Sequence, residues 1–159
     1  MARDANPASF AGIDLTGSQL FFTSGDKGYI YALGGTSISE VIASGATQGA
    51  FLDGFFLALD STTSTLKVSA LNDGTTWEGA QVAQRTAGSD PWKAMVVVHR
   101  DIWLFGEKTS EVWYNAGTSP FPFAAIPGAF LEQGIVAPFS AKAIGNTVMW
   151  LGSSDDGVG

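Results

Sequence analysis

The sequence predicts an all-β chain that folds as a propeller-like arc of about four antiparallel hairpin blades or part-blades. Three observations lead to this prediction: a repeat of about 45 residues, short apolar runs, and frequent glycine-containing turns. The chain has 159 residues, of which 20 are glycine, 12% are aromatic and only 14% are charged. Glycine is unfavourable inside helices, and a disordered chain would carry more charge and fewer aromatic residues. An ordered β-structure therefore fits the composition best.

The repeat is visible in aromatic residues at a constant spacing. Phe56, Trp103 and Trp150 lie 47 positions apart, and their immediate neighbours align without gaps. Pro91 and Pro138, each followed by an aromatic residue, precede the second and third copies at the same spacing. A repeat of this length that contains about four short strands is typical of a β-propeller blade.

The copies define the expected organisation of the chain. A hairpin at residues 20–22 and 29–31 is interpreted as a shortened first copy, and the third aromatic copy stops early. We predict a part-blade over residues 1–47, blades over 48–90 and 91–137, and a part-blade over 138–159. An open arc leaves apolar sheet faces uncovered at both ends. We therefore expect either that the chain is a fragment of a longer propeller or that copies of it associate to close a ring.

The strands are clearest in the second full copy. Residues 94–98 are apolar, residues 99–101 form a turn, and residues 102–105 read Ile-Trp-Leu-Phe without a polar residue between them. A continuous apolar run predicts a strand that is buried on both faces, as in stacked blades. An irregular β-sandwich is the alternative fold. One helical turn is expected at most, over residues 39–43.

A tight-turn motif supports the propeller. Residues 70–77, Ala-Leu-Asn-Asp-Gly-Thr-Thr-Trp, resemble the Asp-box pattern S-x-D-x-G-x-T-W, which forms turns between the outer strands of blades. Gly74, Thr76 and Trp77 match the pattern, and Asn72 stands at the Asp position. We interpret these four residues as a structural turn, because such a motif indicates a fold and not a chemistry.

Composition also limits the function. The chain has no cysteine, which excludes disulfides and thiolate metal sites, and its net charge of −7 disfavours tight binding to nucleic acid or anionic membranes. The N-terminus lacks the apolar segment of a signal peptide, and the densest apolar stretch, residues 50–59, is too short to span a bilayer. We predict no membrane insertion.

No catalytic constellation is recognisable, and no catalytic residue, cofactor or metal site is predicted. His99, the single histidine, lies in a hairpin turn, and the three arginines, Arg3, Arg85 and Arg100, are too few for a sialidase site. Of the carboxylates that could act in glycoside hydrolysis, all but Glu132 lie in contexts typical of solvated residues; they are Asp53, Asp101, Glu107, Glu111 and Glu132. Residues 25–28 and 153–157 have too few oxygen ligands for calcium and are interpreted as turns.

Most aromatic residues lie in the repeat cores, where burial is expected. Trp92 and Trp113 are the candidates for an exposed platform that contacts a ligand or partner.

Two stretches of the chain carry a family resemblance. Residues 102–123, IWLFGEKTSEVWYNAGTSPFPF, and residues 128–152, GAFLEQGIVAPFSAKAIGNTVMWLG, resemble the tail-nozzle proteins of short-tailed bacteriophages, the packaged-DNA stabilisation family. The resemblance implies a non-catalytic, propeller-like virion component of the tail, assembled in the host cytoplasm. It also implies ring formation beneath the portal, contact with neighbouring tail and portal proteins, and at most non-specific contact with the packaged DNA that it retains.

Two other functions remain as alternatives. The first is a propeller that binds glycans or protein partners at a cell surface, and the second is a glycoside hydrolase-like propeller.

Overall fold

The computed structural model describes residues 9–13, 17–154 and 157–158, and every regular element in these residues is a β-strand. Three four-stranded antiparallel sheets follow one another along the chain, and a smaller set of paired strands follows the third. Each strand of the three larger sheets pairs with its neighbours in sequence. The sheets are therefore meanders, as expected for propeller blades.

The first sheet contains β1 (Ser9–Ile13), β2 (Gln19–Ser24), β3 (Lys27–Ala32) and β4 (Ile38–Ile42). The second contains β5 (Gln48–Leu52), β6 (Phe55–Asp60), β7 (Thr65–Val68) and β8 (Val82–Gln84). The third contains β9 (Trp92–Val98), β10 (Asp101–Gly106), β11 (Ser110–Asn115) and β12 (Phe123–Leu131). The remaining strands, which we call the fourth sheet, are β13 (Gly134–Ile135), β14 (Lys142–Ile144), β15 (Thr147–Met149), β16 (Gly152–Ser154) and β17 (Gly157–Val158).

The first sheet differs from the sequence-based expectation in two ways. It has four strands, because β1 and β4 pair with the two sides of the expected hairpin, which is formed by β2 and β3. Residues 38–42, where a helical turn was expected, form β4. Edge pairing with β3 outweighs the weak local preference of this segment for a turn.

The sheets stack on one another through three apolar clusters. Phe21, Ile30 and Phe56 belong to the cluster between the first and second sheets. Leu57 and Ile102 belong to the cluster between the second and third sheets. A third cluster joins the third and fourth sheets. The first strands of successive sheets, β1, β5 and β9, contact one another, which places them nearest the common axis. The β-propeller architecture is thus confirmed.

The repeat in the structure is one residue shorter than the aromatic spacing indicates. Corresponding two-residue turns lie at residues 53–54, 99–100 and 145–146, so the second, third and fourth sheets are offset from one another by 46 residues. Phe56 therefore corresponds to Ile102, whereas Trp103 corresponds to Leu57. The alignment at 47 residues is wrong in register, and since side chains alternate along a strand, it assigns these aromatic residues to the wrong faces.

The corrected register explains the continuous apolar run in β10. Ile102 and Leu104 pack towards the second sheet, while Trp103 and Phe105 pack towards the fourth. Three of these four side chains are completely buried. The prediction that residues 102–105 are covered on both faces is confirmed.

Candidate assembly interface

Polar side chains form hydrogen bonds and ion pairs between neighbouring sheets. The first of these contacts lies near the common axis of the sheets. Gln48, in β5, is buried, and its Oε1 accepts a hydrogen bond of 2.7 Å from the backbone N–H of Met95 in β9. Its Nε2 donates a bond of 3.1 Å to the carbonyl oxygen of Pro138, in the segment that leads into β14. One side chain thus joins three successive sheets.

A buried carboxylate holds the connection between the second and third sheets. Glu111, in β11, accepts bonds of 3.0 to 3.1 Å from Thr86 Oγ1, the backbone N–H of Ala87 and Trp113 Nε1. Its Oε1 also lies 3.1 Å from Nε of Arg85, whose side chain is itself buried. Glu111 is buried, so its interpretation as a solvated residue is wrong. Its neighbours supply four donors, which compensate for the loss of water around the carboxylate.

Asp90 completes the same connection. Its carboxylate accepts bonds from the backbone N–H groups of Lys108 and Thr109, at 2.8 and 3.1 Å, and from the Thr109 hydroxyl. It also lies 3.3 Å from the Arg85 guanidinium. Burial alone would raise the pKa of Asp90, but these hydrogen bonds and the arginine outweigh burial and hold the pKa below its ordinary value.

The Asp-box-like turn connects β7 to β8 and joins the first two sheets. Asn72 adopts a positive φ of 57°, and the amide N–H of Gly74 donates to Gln19 Oε1 in β2 at 2.7 Å. Trp77 Nε1 donates to the Gly74 carbonyl at 2.8 Å, and the Trp77 ring packs 5.2 Å from that of Phe21. A side chain at Gly74 would meet Phe56 and Ile30, so this position needs glycine.

In this turn the carboxylate that bonds to the backbone belongs to Asp73. It accepts bonds from the N–H and hydroxyl of Thr75 and from the hydroxyl of Thr76. The Thr75 hydroxyl is the main cause that keeps the pKa of Asp73 below its ordinary value. Sequence alignment to the motif placed the acidic position one residue earlier, at Asn72.

The predicted platform residues are not on the surface. Trp92 is completely buried and Trp113 is 2% exposed, both in the cluster between the second and third sheets. Their rings meet edge to face at 5.7 Å. The structure contradicts the prediction of an exposed platform, because stacking of the second sheet covers the face on which both residues lie.

The remaining candidate catalytic residues do not converge. His99 is exposed in the β9–β10 turn, Glu107 pairs with Lys93 at 3.0 Å, and Glu132 is exposed. Arg85 pairs with Asp90 and Glu111, whereas Arg100 pairs with Asp53. Arg3 lies outside the described residues, as do residues 155–156 of the possible 153–157 loop. Within the described ranges, no three His, Asp or Glu side chains are grouped so that they could hold a metal ion.

Three exposed apolar side chains lie in or beside the fourth sheet. Ile144, Met149 and Leu151 are 57%, 58% and 45% exposed. In the 46-residue register these positions correspond to Leu52, Leu57 and Leu59 in the second sheet and to Val98, Trp103 and Phe105 in the third. We call Ile144, Met149 and Leu151 the end face. Exposed apolar patches of this kind mark interaction sites.

Stacked four-stranded antiparallel meanders, joined by apolar clusters and by polar contacts between sheets, define a β-propeller-like chain. A sequence model of the family described as "Bacteriophage P22 Gp10, beta-propeller", a phage stabilisation family, matches residues 7–159. The chain belongs to this family, and the resemblance noted in residues 102–123 and 128–152 is confirmed. It is therefore a structural phage protein. No protein of curated function matches the chain significantly.

Solved structures agree with the fold. Hsv2 of Kluyveromyces lactis with loop 6CD replaced by a Gly-Ser linker is 9% identical, with a TM-score of 0.51 over 96% of this chain and 46% of that one. Hsv2 of Kluyveromyces marxianus is 12% identical, with a TM-score of 0.45 over 78% and 39% of the two chains. The chain thus spans less than half the length of these structures, and the first of them supports the fold alone.

Among the described residues, no helix has the length and apolar character needed to cross a lipid bilayer.

Proposed function

We propose that the chain is a non-catalytic part of the nozzle of a short-tailed phage, where it closes the channel below the portal and retains the packaged DNA. The observation on which this proposal depends is family membership over residues 7–159. The partners that we propose are neighbouring tail and portal proteins, and the proposed location is the virion after assembly in the host cytoplasm.

The packing of the sheets supports a mechanical role. Gln48 spans three sheets, and the Arg85–Glu111 pair locks the connection between two of them. Such contacts resist the separation of sheets, as a protein under pressure from confined DNA requires. The carboxylates in this region serve structural bonds, which favours a role without catalysis.

Charge supports a channel that does not bind DNA tightly. The net charge is −7, and phosphate contacts by lysine and arginine provide most of the non-specific affinity for duplex DNA. We therefore expect acidic surfaces to let DNA pass during injection. Duplex DNA titrated with the protein at physiological salt should show no retarded band. Tight binding would contradict this part of the proposal.

The retention role is tested in phage particles. In a phage that encodes this chain, deletion of the gene should yield particles whose packaged DNA leaks and becomes sensitive to added nuclease, and supply of the protein in trans should restore protection. DNA-filled, nuclease-resistant particles without the protein would overturn the proposal. Particles that never package DNA would also overturn it, since they would place the protein in packaging and not in retention.

The glycan-binding and hydrolase alternatives receive no support from a specific observation. The tryptophans that would have formed a sugar platform, Trp92 and Trp113, are buried between sheets. The phage family accounts for the same fold and the same residues.

A further inference from the structure

The strands of the second and third sheets are connected at two ends, and the connections at one end form a continuous surface. We call this end the turn end; its connections are residues 53–54, 69–81, 99–100 and 116–122. Asp53 accepts hydrogen bonds from Arg100 and Asn115. The N–H of Asn72 donates to the carbonyl oxygen of Gly54 at 2.7 Å. Both sheets are flanked on either side by another sheet of the chain, so this surface is distinct from the end face.

The turn end is acidic, whereas the opposite end of the same two sheets is neutral. The charged side chains at the turn end are one arginine and four carboxylates: Arg100, Asp53, Asp73, Glu78 and Asp101. The opposite end has four basic and four acidic residues: Lys67, Arg85, Lys93, Lys108, Asp60, Asp90, Glu107 and Glu111. Because Asp53 is paired with Arg100, the excess negative charge of the turn end lies on its other three carboxylates.

Apolar side chains also distinguish the turn end. Leu71 is 59% exposed, and it lies over Gly54, where an added Cβ atom would be 2.8 Å from Leu71 Cδ1. In the neighbouring loop Pro120 is exposed and Phe121 is partly exposed. The connections at the opposite end contain no leucine, isoleucine, valine, methionine or aromatic residue; they are residues 61–64, 85–91 and 107–109. Exposed apolar side chains and excess negative charge therefore occur together at the turn end.

The loop that carries Leu71 is held in one conformation by contacts with the first sheet. The N–H of Gly74 donates to Gln19 Oε1 at 2.7 Å, and the ring of Trp77 packs 5.2 Å from that of Phe21. A loop that is already ordered loses little conformational entropy when a partner covers its exposed side chain. The turn end therefore presents Leu71 as a fixed contact point.

We infer that the turn end of the second and third sheets docks a protein surface that is apolar at its centre and basic around it. Leu71 and Phe121 provide the apolar contact, while Glu78 and Asp101 pair with lysine or arginine of the partner. Complementary charges at the rim of an interface favour such a partner, whereas the phosphates of duplex DNA would be repelled by these carboxylates. The inference rests on the proposed function, because it gives the neighbouring tail or portal proteins a docking site on this chain.

Photo-cross-linking in phage particles tests the inference directly. With Leu71 replaced by benzoylphenylalanine, the chain should form a product with another virion protein, and the linked peptide should carry a net positive charge. The matched control places the same photoreactive residue at Ser89, which is exposed at the opposite end, and it should yield little of that product. A product with DNA, with a second copy of this chain or with an acidic peptide would overturn the inference. Equal yields from the two positions, or no product from position 71, would overturn it as well.

Incorporation of variant chains into particles provides an independent measurement. Leu71→Glu and Glu78→Lys should each lower the amount of the chain per particle by about tenfold, since a lost apolar contact or a reversed rim charge weakens docking. Ser89→Glu, at the opposite end, should be incorporated like the wild type. Leu71→Ser takes the place of Leu71→Glu if circular dichroism shows that the latter does not fold. Incorporation of either turn-end variant at the wild-type level contradicts the inference.

A charge exchange tests the proposed chemistry of the partner. When a basic residue in the cross-linked peptide is changed to glutamate, incorporation of Glu78→Lys should recover, because attraction between the two side chains is restored with reversed signs. The same change in the partner should not rescue Leu71→Glu. Failure of the exchange at every basic residue of that peptide would reject the proposed pairing.

Failure of this inference and failure of the proposed function give different results. Normal incorporation of Leu71→Glu into particles that retain their DNA would reject docking at the turn end and leave the nozzle role in place. If particles keep their DNA without the chain, although position 71 cross-links to a basic virion peptide when the chain is present, the nozzle role alone is rejected.

Discussion

The carboxylate of Asp53 accepts two hydrogen bonds from the guanidinium of Arg100, at 2.9 and 3.1 Å. The two residues belong to corresponding two-residue turns, residues 53–54 of the second sheet and residues 99–100 of the third. Asn115 donates a further bond of 3.0 Å to the same carboxylate. A polar link at one end of the hairpins thus supplements the apolar contact between these sheets.

The Asp53–Arg100 pair should make part of the free energy of unfolding depend on pH. The hydrogen bonds from Arg100 are the main cause that holds the pKa of Asp53 below its ordinary value of 3.8. A carboxylate whose pKa is lowered in the folded state stabilises that state above its unfolded pKa, and the contribution is lost as pH falls through the folded pKa. Arg100→Ala should therefore lower the urea midpoint at neutral pH and leave it unchanged well below the folded pKa.

The control for this change is Lys93→Ala, which removes a pair with Glu107, whose carboxylate is more exposed than that of Asp53, and should have a smaller effect. A difference between wild type and Arg100→Ala that stays constant over the whole pH range would contradict the assigned role of Asp53.

Removal of the Glu111 carboxylate should lower the free energy of unfolding far more than Arg100→Ala. Glu111→Ala leaves the buried Arg85 guanidinium without its closest counter-charge, and breaking a buried ion pair on one side destabilises by about 3–5 kcal/mol. Urea unfolding measures the loss. Glu132→Ala, at an exposed position, should change the free energy of unfolding by less than about 0.5 kcal/mol. Equal effects of the two changes would refute the buried network.

Gln48→Leu keeps the size of the side chain but removes its bonds to Met95 and Pro138. The buried N–H of Met95 then lacks its acceptor, which should lower the free energy of unfolding by about 1–3 kcal/mol. Gln84→Leu, on the exposed strand β8, is the comparison and should be nearly neutral. Chemical denaturation of both variants checks the prediction, and a neutral Gln48→Leu would show that the side chain does not link the sheets.

The two buried tryptophans should respond differently to the same substitution. Trp113 Nε1 donates to Glu111 at 3.0 Å, whereas Trp92 Nε1 has no hydrogen-bond partner among the described residues. Trp113→Phe should lose about 1.5–3 kcal/mol for the bond to a charged acceptor, beyond the packing loss that both changes share. Trp92→Phe serves as the control. A larger loss at Trp92 in calorimetry would contradict these assignments.

The strands β9 and β10 of the third sheet were predictable from local sequence. The run Ile102 to Phe105 has no polar residue, and only stacking on both faces explains such a strand in an antiparallel sheet. The turn between β9 and β10 was visible as the polar residues 99–101. The family resemblance also rested on contiguous stretches, and for that reason it could be read without a structure.

Register and long-range pairing could not be predicted in the same way. Matching aromatic residues favoured a spacing of 47, but the repeat is set by the hairpin turns, and Trp103 fills a position where the second sheet has Leu57. Arg85 and Glu111 meet because two sheets stack, and no local pattern marks such a pair. Trp92 looked available for the same reason, since the sheet that covers it is distant in sequence.

The arrangement of the sheets as consecutive meanders has a consequence for the gene. Every strand of the first three sheets pairs with strands adjacent to it in the chain, so each coding unit specifies one self-contained meander. Tandem duplication or loss of one unit would change the number of meanders without altering any pairing inside the others. Recombination within such an array of repeats can therefore produce propellers with different numbers of blades.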